Sequence, residues 1–198
     1  LYIADRGNNI VRRVDASTYL ISTIAGTPAA SGYSGDGGQA TQARCNLPVS
    51  VLWDSANLLY VVEEGNHVVR RINLNTGVIK TIAGTGKAGF RGDGGPATEA
   101  RLRNPHGVAL DAQKNIYISD SYNNVIRRVD AVTRVITRIA GTGAAGWSGD
   151  NGPAVSAELN TPYGISVRDG SLYIADFGNN TVRRVDLVTG IITRVAGS

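Results

Sequence analysis

Short apolar segments alternate with polar turns along the whole chain, and helical periodicity is absent from these segments. Between residues 105 and 141, the segments 107–111, 115–120, 125–130 and 135–140 are rich in Val, Ile, Tyr and Thr and are bounded by Asn, Asp or Gly. β-branched and aromatic residues favour strands, whereas Asn, Asp and Gly favour the turns between strands. The pattern therefore predicts four short antiparallel strands joined by tight turns.

The same pattern recurs at nearly constant spacing. The tyrosines of the second predicted strand lie at positions 2, 60, 117 and 173, so the spacings are 58, 57 and 56 residues. The turns after the third strand contain glycine at 77 and 190, where positive φ angles suit a tight hairpin. Self-similarity at a fixed spacing is typical of repeat proteins, in which each copy is one structural unit.

Repeated four-stranded units predict an all-β fold, a β-propeller built of four-stranded antiparallel blades. Radial closure removes long exposed sheet edges, whereas a linear β-solenoid usually repeats every 20 to 30 residues or so. The first copy starts at its second strand, so we expect a partial ring of three full blades and three strands of a fourth. The predicted bounds are 1–26 for the partial blade, about 48–84, 105–141 and 162–197 for the full blades, and 27–47, 85–104 and 142–161 for long loops.

The long loops share a glycine-rich motif. Its aspartate is Asp36, Asp93 or Asp150, and in residues 92–102 it precedes a predicted helix of one to two turns with proline near the first position. We expect the aspartate to cap this helix. A calcium loop needs several acidic ligands, whereas each of these loops offers one. A phosphate loop needs a lysine and a long helix, which these loops lack. We therefore prefer a capping role for the aspartate, with metal binding as the alternative. Cys45 aligns with Leu102 and Leu159 and is predicted to be a small buried hydrophobe.

The net charge of +4 comes from 20 basic and 16 acidic residues. Eight of the basic residues are the repeated arginine pairs at 12–13, 70–71, 127–128 and 183–184. Adjacent strand residues point to opposite faces, so each pair places one guanidinium on each side of its blade. The repeated acids Asp5, Glu63, Asp120 and Asp176 offer ion-pair partners for at least one arginine of each pair. We therefore assign the arginine pairs and the Asp-x-x-Asn-Asn turn to the scaffold. Nucleic-acid binding therefore stays open but is not favoured by charge.

Three motifs recur in order: Pro-x-Gly-Val-Ala-x-Asp, then Tyr-Ile-x-Asp-x-x-Asn-Asn-x-Val-Arg-Arg-Val-Asp, then Ile-x-Thr-x-Ala-Gly-Thr-Gly. Over essentially the whole chain, this combination resembles the NHL-repeat family. The resemblance implies a six-bladed ring, with about two blades outside this chain. Some NHL-like propellers are peptide-amidating lyases with a zinc site of several histidines, but this chain contains only His67 and His106.

Propeller topology places the turns between second and third strands on one face with the loops between blades, around the channel mouth. Residues that break the repeat on this face are the candidates for specific contacts. Recurring loop aromatics, which include Tyr33, either pack within the loops or contact a ligand. The candidate binding residues are Arg6, Glu64, His67, Lys87, Phe90, Arg91, His106, Tyr122, Trp147 and Phe177.

The sequence predicts a non-catalytic binding platform, a sensor or adaptor module of a larger protein that takes a protein or peptide ligand. The alternatives are a metal-dependent lyase or hydrolase whose site lies partly in missing blades, and an RNA-binding propeller. No catalytic residue, metal ligand or cofactor is predicted. Further partners are the missing blades or a second copy of the chain, and no apolar segment is long enough to cross a bilayer. The residues leave the compartment unknown, although the resemblance favours an extracytoplasmic or extracellular one.

Overall fold

The computed structural model describes residues 1–197, which form fifteen β-strands and six 3-10 turns. The strands are β1 (Tyr2–Asp5), β2 (Ile10–Val14), β3 (Ile21–Ala25), β4 (Pro48–Trp53), β5 (Leu58–Glu63), β6 (Val68–Asn73), β7 (Ile79–Ala83), β8 (Gly107–Leu110), β9 (Ile116–Asp120), β10 (Val125–Val129), β11 (Ile136–Ala140), β12 (Pro162–Arg168), β13 (Ser171–Asp176), β14 (Thr181–Asp186) and β15 (Ile192–Ala196). The 3-10 turns are Arg6–Asn8, Ala40–Gln42, Ala97–Glu99, Ser121–Asn123, Ala154–Ser156 and Phe177–Asn179.

The strands pair in chain order into four antiparallel sheets, which are the blades of a propeller. Blade 1 holds β1–β3, blade 2 holds β4–β7, blade 3 holds β8–β11 and blade 4 holds β12–β15. In every blade the register between the third and fourth strands shifts just before the first arginine of the Arg-Arg pair. The predicted all-β propeller of three full blades and one lacking its first strand is confirmed.

Hydrophobic cores fill the spaces between consecutive blades. Between blades 2 and 3, Tyr60 and Val69 pack with Ile118 and Ile136 of the next blade, and Leu102 of the connecting loop joins them. Equivalent cores lie between blades 1 and 2 and between blades 3 and 4. The first strands β4, β8 and β12 contact one another, so they line the axis around which the blades are arranged.

The turns after the third strands confirm the predicted glycine conformations. Gly77 and Gly190 have φ angles of 72° and 71°. Tyr19 and Arg134 occupy the same position in blades 1 and 3 and adopt φ angles of 59° and 62°. The turn geometry is therefore the same in all four blades, even where the residue is not the glycine that this region of φ favours.

The long loops are tied down differently from the predicted capped helix. Each contains only a three-residue 3-10 turn, such as Ala97–Glu99, whose N-cap is Pro96 and which has no side-chain cap. Asp93 instead accepts hydrogen bonds from Nε and Nη2 of the buried Arg127, at 3.1 and 2.9 Å. The capping prediction is wrong because a buried guanidinium must be compensated by a carboxylate, and the loop supplies it. Asp36 and Asp150 contact Arg70 and Arg183 in the same way.

Cys45 is fully buried, as predicted from its alignment with Leu102 and Leu159, which are also buried. Burial raises the pKa of its thiol to about 12, and the nearby Glu63 carboxylate adds to the shift. The thiol therefore stays protonated at neutral pH and acts as a small apolar group.

The two terminal blades each leave one face uncovered. Tyr117 of blade 3 is 3% exposed beneath blade 4, whereas its equivalent in blade 4, Tyr173, is 36% exposed. On blade 1, Leu1 is 76% exposed, whereas its equivalent Leu59 is completely buried. The described part of the chain is thus an open arc of blades. None of its helical segments has the length and hydropathy that a bilayer crossing requires.

Candidate binding site at the channel mouth

Two kinds of segment meet at one end of the central channel. The turns that join the second and third strands of each blade lie there, together with the first residues of the innermost strands β4, β8 and β12. In blades 1, 3 and 4 these turns are 3-10 turns. Each turn closes with a residue in the left-handed region, such as Asn124 or Asn180 at φ 54°. The repeated Asp-x-x-Asn-Asn sequence, which is Glu-x-x-Asn-His in blade 2, thereby gives four turns of the same shape around the mouth.

A stack of three aromatic rings is the main feature of the mouth. The His106 ring lies 4.0 Å from that of Tyr163 between centroids, with an interplanar angle of 9°. The Tyr163 ring lies 4.5 Å from that of Phe177, at 7°. Tyr122 is nearly parallel to His106 at 6.5 Å. With Tyr122 included, two of the four rings come from innermost strands or the residue before them and two come from the turns. The aromatic group therefore spans blades 3 and 4.

The stack leaves aromatic surface available to a ligand. Phe177 is 60% exposed and Tyr122 is 48% exposed, although both are large apolar side chains in a fold with well-filled cores. Burial raises the pKa of the Tyr163 phenol, and the neighbouring Tyr122 and Glu64 add to this shift. The phenol of Tyr163 therefore remains a neutral hydrogen-bonding group beside the rings.

A carboxylate with three donors around it lies beside the stack. Glu64 Oε2 accepts hydrogen bonds from Nε and Nη2 of Arg6 at 3.1 and 2.9 Å, and Glu64 Oε1 accepts from Asn104 Nδ2 at 3.4 Å. His106 Nε2 lies 3.9 Å from Glu64 Oε2. Arg6 belongs to blade 1, Glu64 to blade 2 and His106 to blade 3. The polar groups thus converge on the mouth from three blades.

The hydrogen bonds assign the tautomer of each neutral histidine. His106 Nδ1 lies 3.0 Å from the carbonyl oxygen of Asn104, so Nδ1 carries the proton and Nε2 is an acceptor. His67 Nδ1 accepts from the backbone N–H of Asn104 at 3.2 Å, so its proton lies on Nε2. Burial lowers the pKa of His67, which favours this neutral form. Of the two histidines, His106 has a ring nitrogen 3.9 Å from a Glu64 oxygen.

His67 has a scaffold contact that sequence comparison within the chain did not reveal. It stands where the other turns have Asn9, Asn124 and Asn180, and its φ of 55° matches theirs. Asn9 Oδ1 and Asn124 Oδ1 each accept from the backbone N–H of a residue in the following loop, at 2.9 Å. His67 Nδ1 makes the equivalent bond to the next blade. The imidazole therefore replaces an asparagine amide in a tie between blades.

Behind the mouth, the turns of blades 2, 3 and 4 are each held by a buried carboxylate. Asp120 accepts from the backbone N–H of Arg103 at 2.6 Å and from Asn123 Nδ2 at 2.8 Å, and Arg127 Nη1 lies 3.6 Å away. Burial raises the pKa of Asp120 to about 6 in spite of these donors. Burial also raises the pKa of Glu63 and of Asp176, the equivalents in blades 2 and 4. These acids position the turns and are not exposed to a ligand.

The structure brings five of the candidate residues together, namely Arg6, Glu64, His106, Tyr122 and Phe177. Four others lie in the long loops: Lys87 and Arg91 are exposed, Phe90 lies over the Arg127 guanidinium at 5.9 Å from centroid to Cζ, and Trp147 is 71% exposed. Tyr33 lies over Arg70 in the same manner as Phe90. The loop aromatics Tyr33 and Phe90 thus have packing contacts, and a ligand contact by any loop candidate stays a prediction.

Tyr163 was not among the candidates, yet it lies at the centre of the stack. The signal was present in the sequence, because Tyr163 follows Pro162 where Val49 and His106 follow Pro48 and Pro105. What the sequence could not show is that the neighbouring strands β8 and β12 place the His106 and Tyr163 rings face to face. Below them, a channel cavity of about 280 Å³ is lined by Ser50, Val108 and Ile165 among others.

The chemistry available at the mouth is recognition by stacking and hydrogen bonding. Among the described residues, no group of three or more His, Cys, Asp and Glu side chains has the geometry of a metal site. The rings offer apolar faces, Arg6 offers donors, and His106 Nε2 offers an acceptor. Such a combination of apolar faces and a few convergent polar groups is typical of a ligand-binding concavity.

Comparison with known proteins identifies the repeat. A family model described as NHL repeat matches residues 102–128, which include β8, β9 and most of β10. The chain is 32% identical over 138 residues to Protein SUPPRESSOR OF QUENCHING 1, chloroplastic, of Arabidopsis thaliana, covering 66% of this chain and 13% of that protein. It is 31% identical over 144 residues to NHL repeat-containing protein 2 of Bos taurus, covering 68% and 20%. The chain thus spans a fifth or less of these relatives.

Solved structures share the fold. A protein of unknown function from Bacteroides thetaiotaomicron superposes with a TM-score of 0.72 at 20% identity, covering 92% of this chain and 43% of that one. A streptogramin B lyase superposes with a TM-score of 0.62 at 12% identity, covering 99% and 50%. Similarity at this level of identity shows the propeller fold and does not transfer a ligand or a reaction.

Proposed function

We propose that this chain, a member of the NHL-repeat family, is a non-catalytic binding platform that takes a protein or peptide ligand at the channel mouth. The family and the propeller fold support an interaction module, since propellers present loops and turns from several blades on one face. The observation that carries the proposal is the stack of His106, Tyr163 and Phe177, which lies at positions that break an otherwise regular repeat.

The exposed rings are suited to a peptide. Aromatic side chains and arginine are the residues that most often dominate binding energy at protein interfaces. Aromatic rings bury large areas with few rotatable bonds. Phe177 and Tyr122 are the exposed aromatics of this cluster, and Arg6 is held in place by Glu64 rather than being free to rotate. Preorganisation of this kind lowers the entropic cost of binding.

Selection from a phage-displayed random peptide library tests the proposal. The immobilised 198-residue chain should enrich peptides that bind, and each peptide is then measured on the double variant Phe177→Ala/Tyr122→Ala. Loss of central aromatic contacts typically costs about 2 kcal/mol or more, so we expect binding at least roughly 30-fold weaker. Tyr19→Ala is the matched control, because Tyr19 is 80% exposed in a turn between third and fourth strands, at the other end of its blade.

Three outcomes would count against the proposal. Enriched peptides that bind the double variant as tightly as the wild type would place the site elsewhere. A single-stranded RNA that binds the mouth in preference to every selected peptide would favour the RNA-binding alternative. Stoichiometric zinc in the purified protein, lost together with a lyase or hydrolase activity on chelation, would favour the enzymatic alternative.

A further inference from the structure

A cleft between blades 3 and 4 opens on the face opposite the channel mouth. It has a volume of about 990 Å³ and lies among the turn that joins β8 to β9, the hairpin that joins β12 to β13, and the turn that joins β14 to β15. The corresponding space between blades 2 and 3 is a cavity of about 250 Å³. A scaffold feature would recur with the repeat, so the larger cleft requires a local cause.

The cause is the loss of two side chains that fill the equivalent space elsewhere. Between blades 1 and 2, the Gln39 side chain donates to the carbonyl of Thr76 and lies so close to Gly77 that a Cβ there would clash with Gln39 Oε1. Between blades 2 and 3, Arg134 lines the small cavity. Between blades 3 and 4 the same two positions are Pro153 and Gly190. A Cβ added at Gly190 would meet no atom within 4 Å.

The blade 4 hairpin also leaves room. It turns through Asp169 and Gly170 alone, both with positive φ, whereas the blade 3 turn runs from residue 111 to 115. Two residues with positive φ are the most compact connection between antiparallel strands. The shorter hairpin and Gly190 together set back the blade 4 side of the cleft.

The wall of the cleft is apolar. Ile139 of blade 3 and Val167 and Val185 of blade 4 line it, and Val155 of the connecting loop, where blade 2 is followed by Thr98, adds a further methyl-bearing side chain. The volume is at the upper end of the range of about 300–1,000 Å³ that small-molecule sites occupy. The cleft therefore accommodates an apolar body the size of a small molecule.

Two arginines of the cleft keep N–H groups available to a ligand. Arg128 uses Nη2 on Asp130 at 3.0 Å, and Arg138 uses Nη1 on the carbonyls of Gly141 and Val155; among the described residues, their other N–H groups have no acceptor. Arg138 stands where blades 1 and 2 have threonine and blade 4 has Arg194. Formally, the three arginines and three aspartates that line the cleft balance in charge.

The two inner carboxylates are already engaged with their own turns. Asp111 accepts from the backbone and side chain of Asn115 and from the Tyr117 hydroxyl. Asp186 Oδ1 accepts from the backbone N–H groups of Val188 and Thr189. The third, Asp169, is exposed at the hairpin tip and lies 3.4 Å from Arg168 Nε. Guanidinium donors thus remain for a ligand, while both Asp111 oxygens and Asp186 Oδ1 already accept hydrogen bonds.

From this geometry we infer that the cleft between blades 3 and 4 binds a small amphipathic anion, a molecule with an apolar chain or ring and one carboxylate or phosphate group. Ile139, Val155, Val167 and Val185 enclose the apolar body, and Arg138 and Arg128 bind the anionic group through charge-assisted hydrogen bonds. This site lies on the opposite face from the proposed peptide site, and the two can be tested independently.

Isothermal titration calorimetry with decanoate tests the inference. Decyltrimethylammonium serves as the ligand of opposite charge, and decyl phosphate carries a second kind of anionic headgroup. We expect one molecule of decanoate per chain and at least tenfold weaker binding of the cation. Decyl phosphate shows whether the site prefers one anionic group to the other.

The repeat supplies matched variants. Gly190→Arg restores the residue of blade 3, where Arg134 adopts φ 62° in the same turn, so the fold should be retained while the cleft is filled. Arg138→Thr restores the residue of blades 1 and 2. We expect at least tenfold weaker decanoate binding in the first variant and at least fivefold in the second. Arg13→Thr makes the same change of net charge on blade 1 and should leave binding unchanged.

The controls separate this cleft from other apolar surfaces of the chain. Circular dichroism of each variant must match the wild type, and binding of a mouth-selected peptide must be unaffected by Gly190→Arg. Decanoate binding that survives Gly190→Arg would arise at the uncovered blade faces and would overturn the inference. Absence of decanoate and decyl phosphate binding, or equal binding of the cation, would overturn it as well.

Discussion

At the scale of single residues, the copies of the repeat act as internal controls for one another. His67 differs from its equivalents in type but makes the same contact, because its Nδ1 accepts the Asn104 N–H as Asn9 Oδ1 accepts that of Leu47. His106 differs in type and in contact, because it joins the aromatic stack where blade 2 has Val49. A departure from the repeat therefore indicates a ligand contact only where the scaffold contact is also lost.

His67 allows this distinction to be measured. His67→Asn should leave the free energy of unfolding unchanged or slightly higher, since asparagine keeps the acceptor and tolerates positive φ. His67→Ala should lower it by about 1–3 kcal/mol, because the partly buried N–H of Asn104 loses its acceptor. Urea denaturation of both variants measures the difference. If His67→Asn weakened a mouth-selected peptide as much as Phe177→Ala/Tyr122→Ala, His67 would be a ligand contact rather than a tie between blades.

At the scale of elements, each long loop is attached to the following blade by a buried arginine between two acids. Arg127 of β10 contacts Asp93 of the loop and Asp120 at the end of β9. Removal of the arginine would leave the buried Asp120 carboxylate without its charge partner, which is strongly destabilising. The arrangement recurs with Arg70 and Arg183. Loop position and turn geometry are therefore linked through one guanidinium per blade.

The raised pKa of Asp120 gives this arrangement a pH dependence. The folded state takes up the proton at about pH 6 and the unfolded state near the ordinary value of 3.8, so folding binds a proton between these values. Stability must then rise as pH falls from about 7 to about 4, and the raised pKa values of Glu63 and Asp176 act in the same direction. Urea denaturation across this range should show a shallower rise for Asp120→Asn than for the wild type.

The test rests on the slope because Asp120→Asn also lowers stability at every pH, since its amide keeps only one of the two oxygens that accept from Arg103 N–H and Asn123 Nδ2. Asp130→Asn is the control of opposite sign. Hydrogen bonds from the backbone of Thr133 and Val132 lower the pKa of Asp130 to about 2, so its contribution is lost only below about pH 4. An unchanged slope in Asp120→Asn between pH 7 and 4 would show that Asp120 is ionised throughout and well compensated.

Sequence reasoning predicted the elements better than the contacts between them. Strand patterns, turn glycines and the buried position of Cys45 follow from local preferences and alignment of the copies. The role of Asp93 did not, because its partner Arg127 is far along the chain and a glycine-rich turn before a proline also fits a capped helix. Five of the residues chosen from the sequence lie together at the mouth, but Tyr163 was missed because stacking depends on how adjacent innermost strands are placed around the axis. Nothing in the pattern indicated the cleft beside Gly190.

At the scale of the whole molecule, the propeller is held together by blade-to-blade contacts and therefore depends on what covers its two ends. Three cores join blade 1 to 2, 2 to 3 and 3 to 4, and among residues 1–197 no core joins blade 4 to blade 1. The uncovered face of blade 1 carries Leu1 and Ile21, which is 50% exposed, and that of blade 4 carries Tyr173. In repeat proteins each unit gains stability from its neighbours, so terminal units without a cap are the weakest.

The uncovered faces predict the behaviour of the chain on its own. Blade 1 presents the surface that blades 2 and 3 bury against a preceding blade, and blade 4 presents the surface that they bury against a following one. These surfaces are complementary, so the 198-residue chain should self-associate head to tail, with a mass that increases with concentration in light scattering. Ile21→Lys and Tyr173→Lys should each reduce association, whereas Val132→Lys, at a turn position 88% exposed, should not. A monomer at every concentration would contradict this prediction, as would unchanged association in both face variants. Added blades that bind the same faces should abolish self-association.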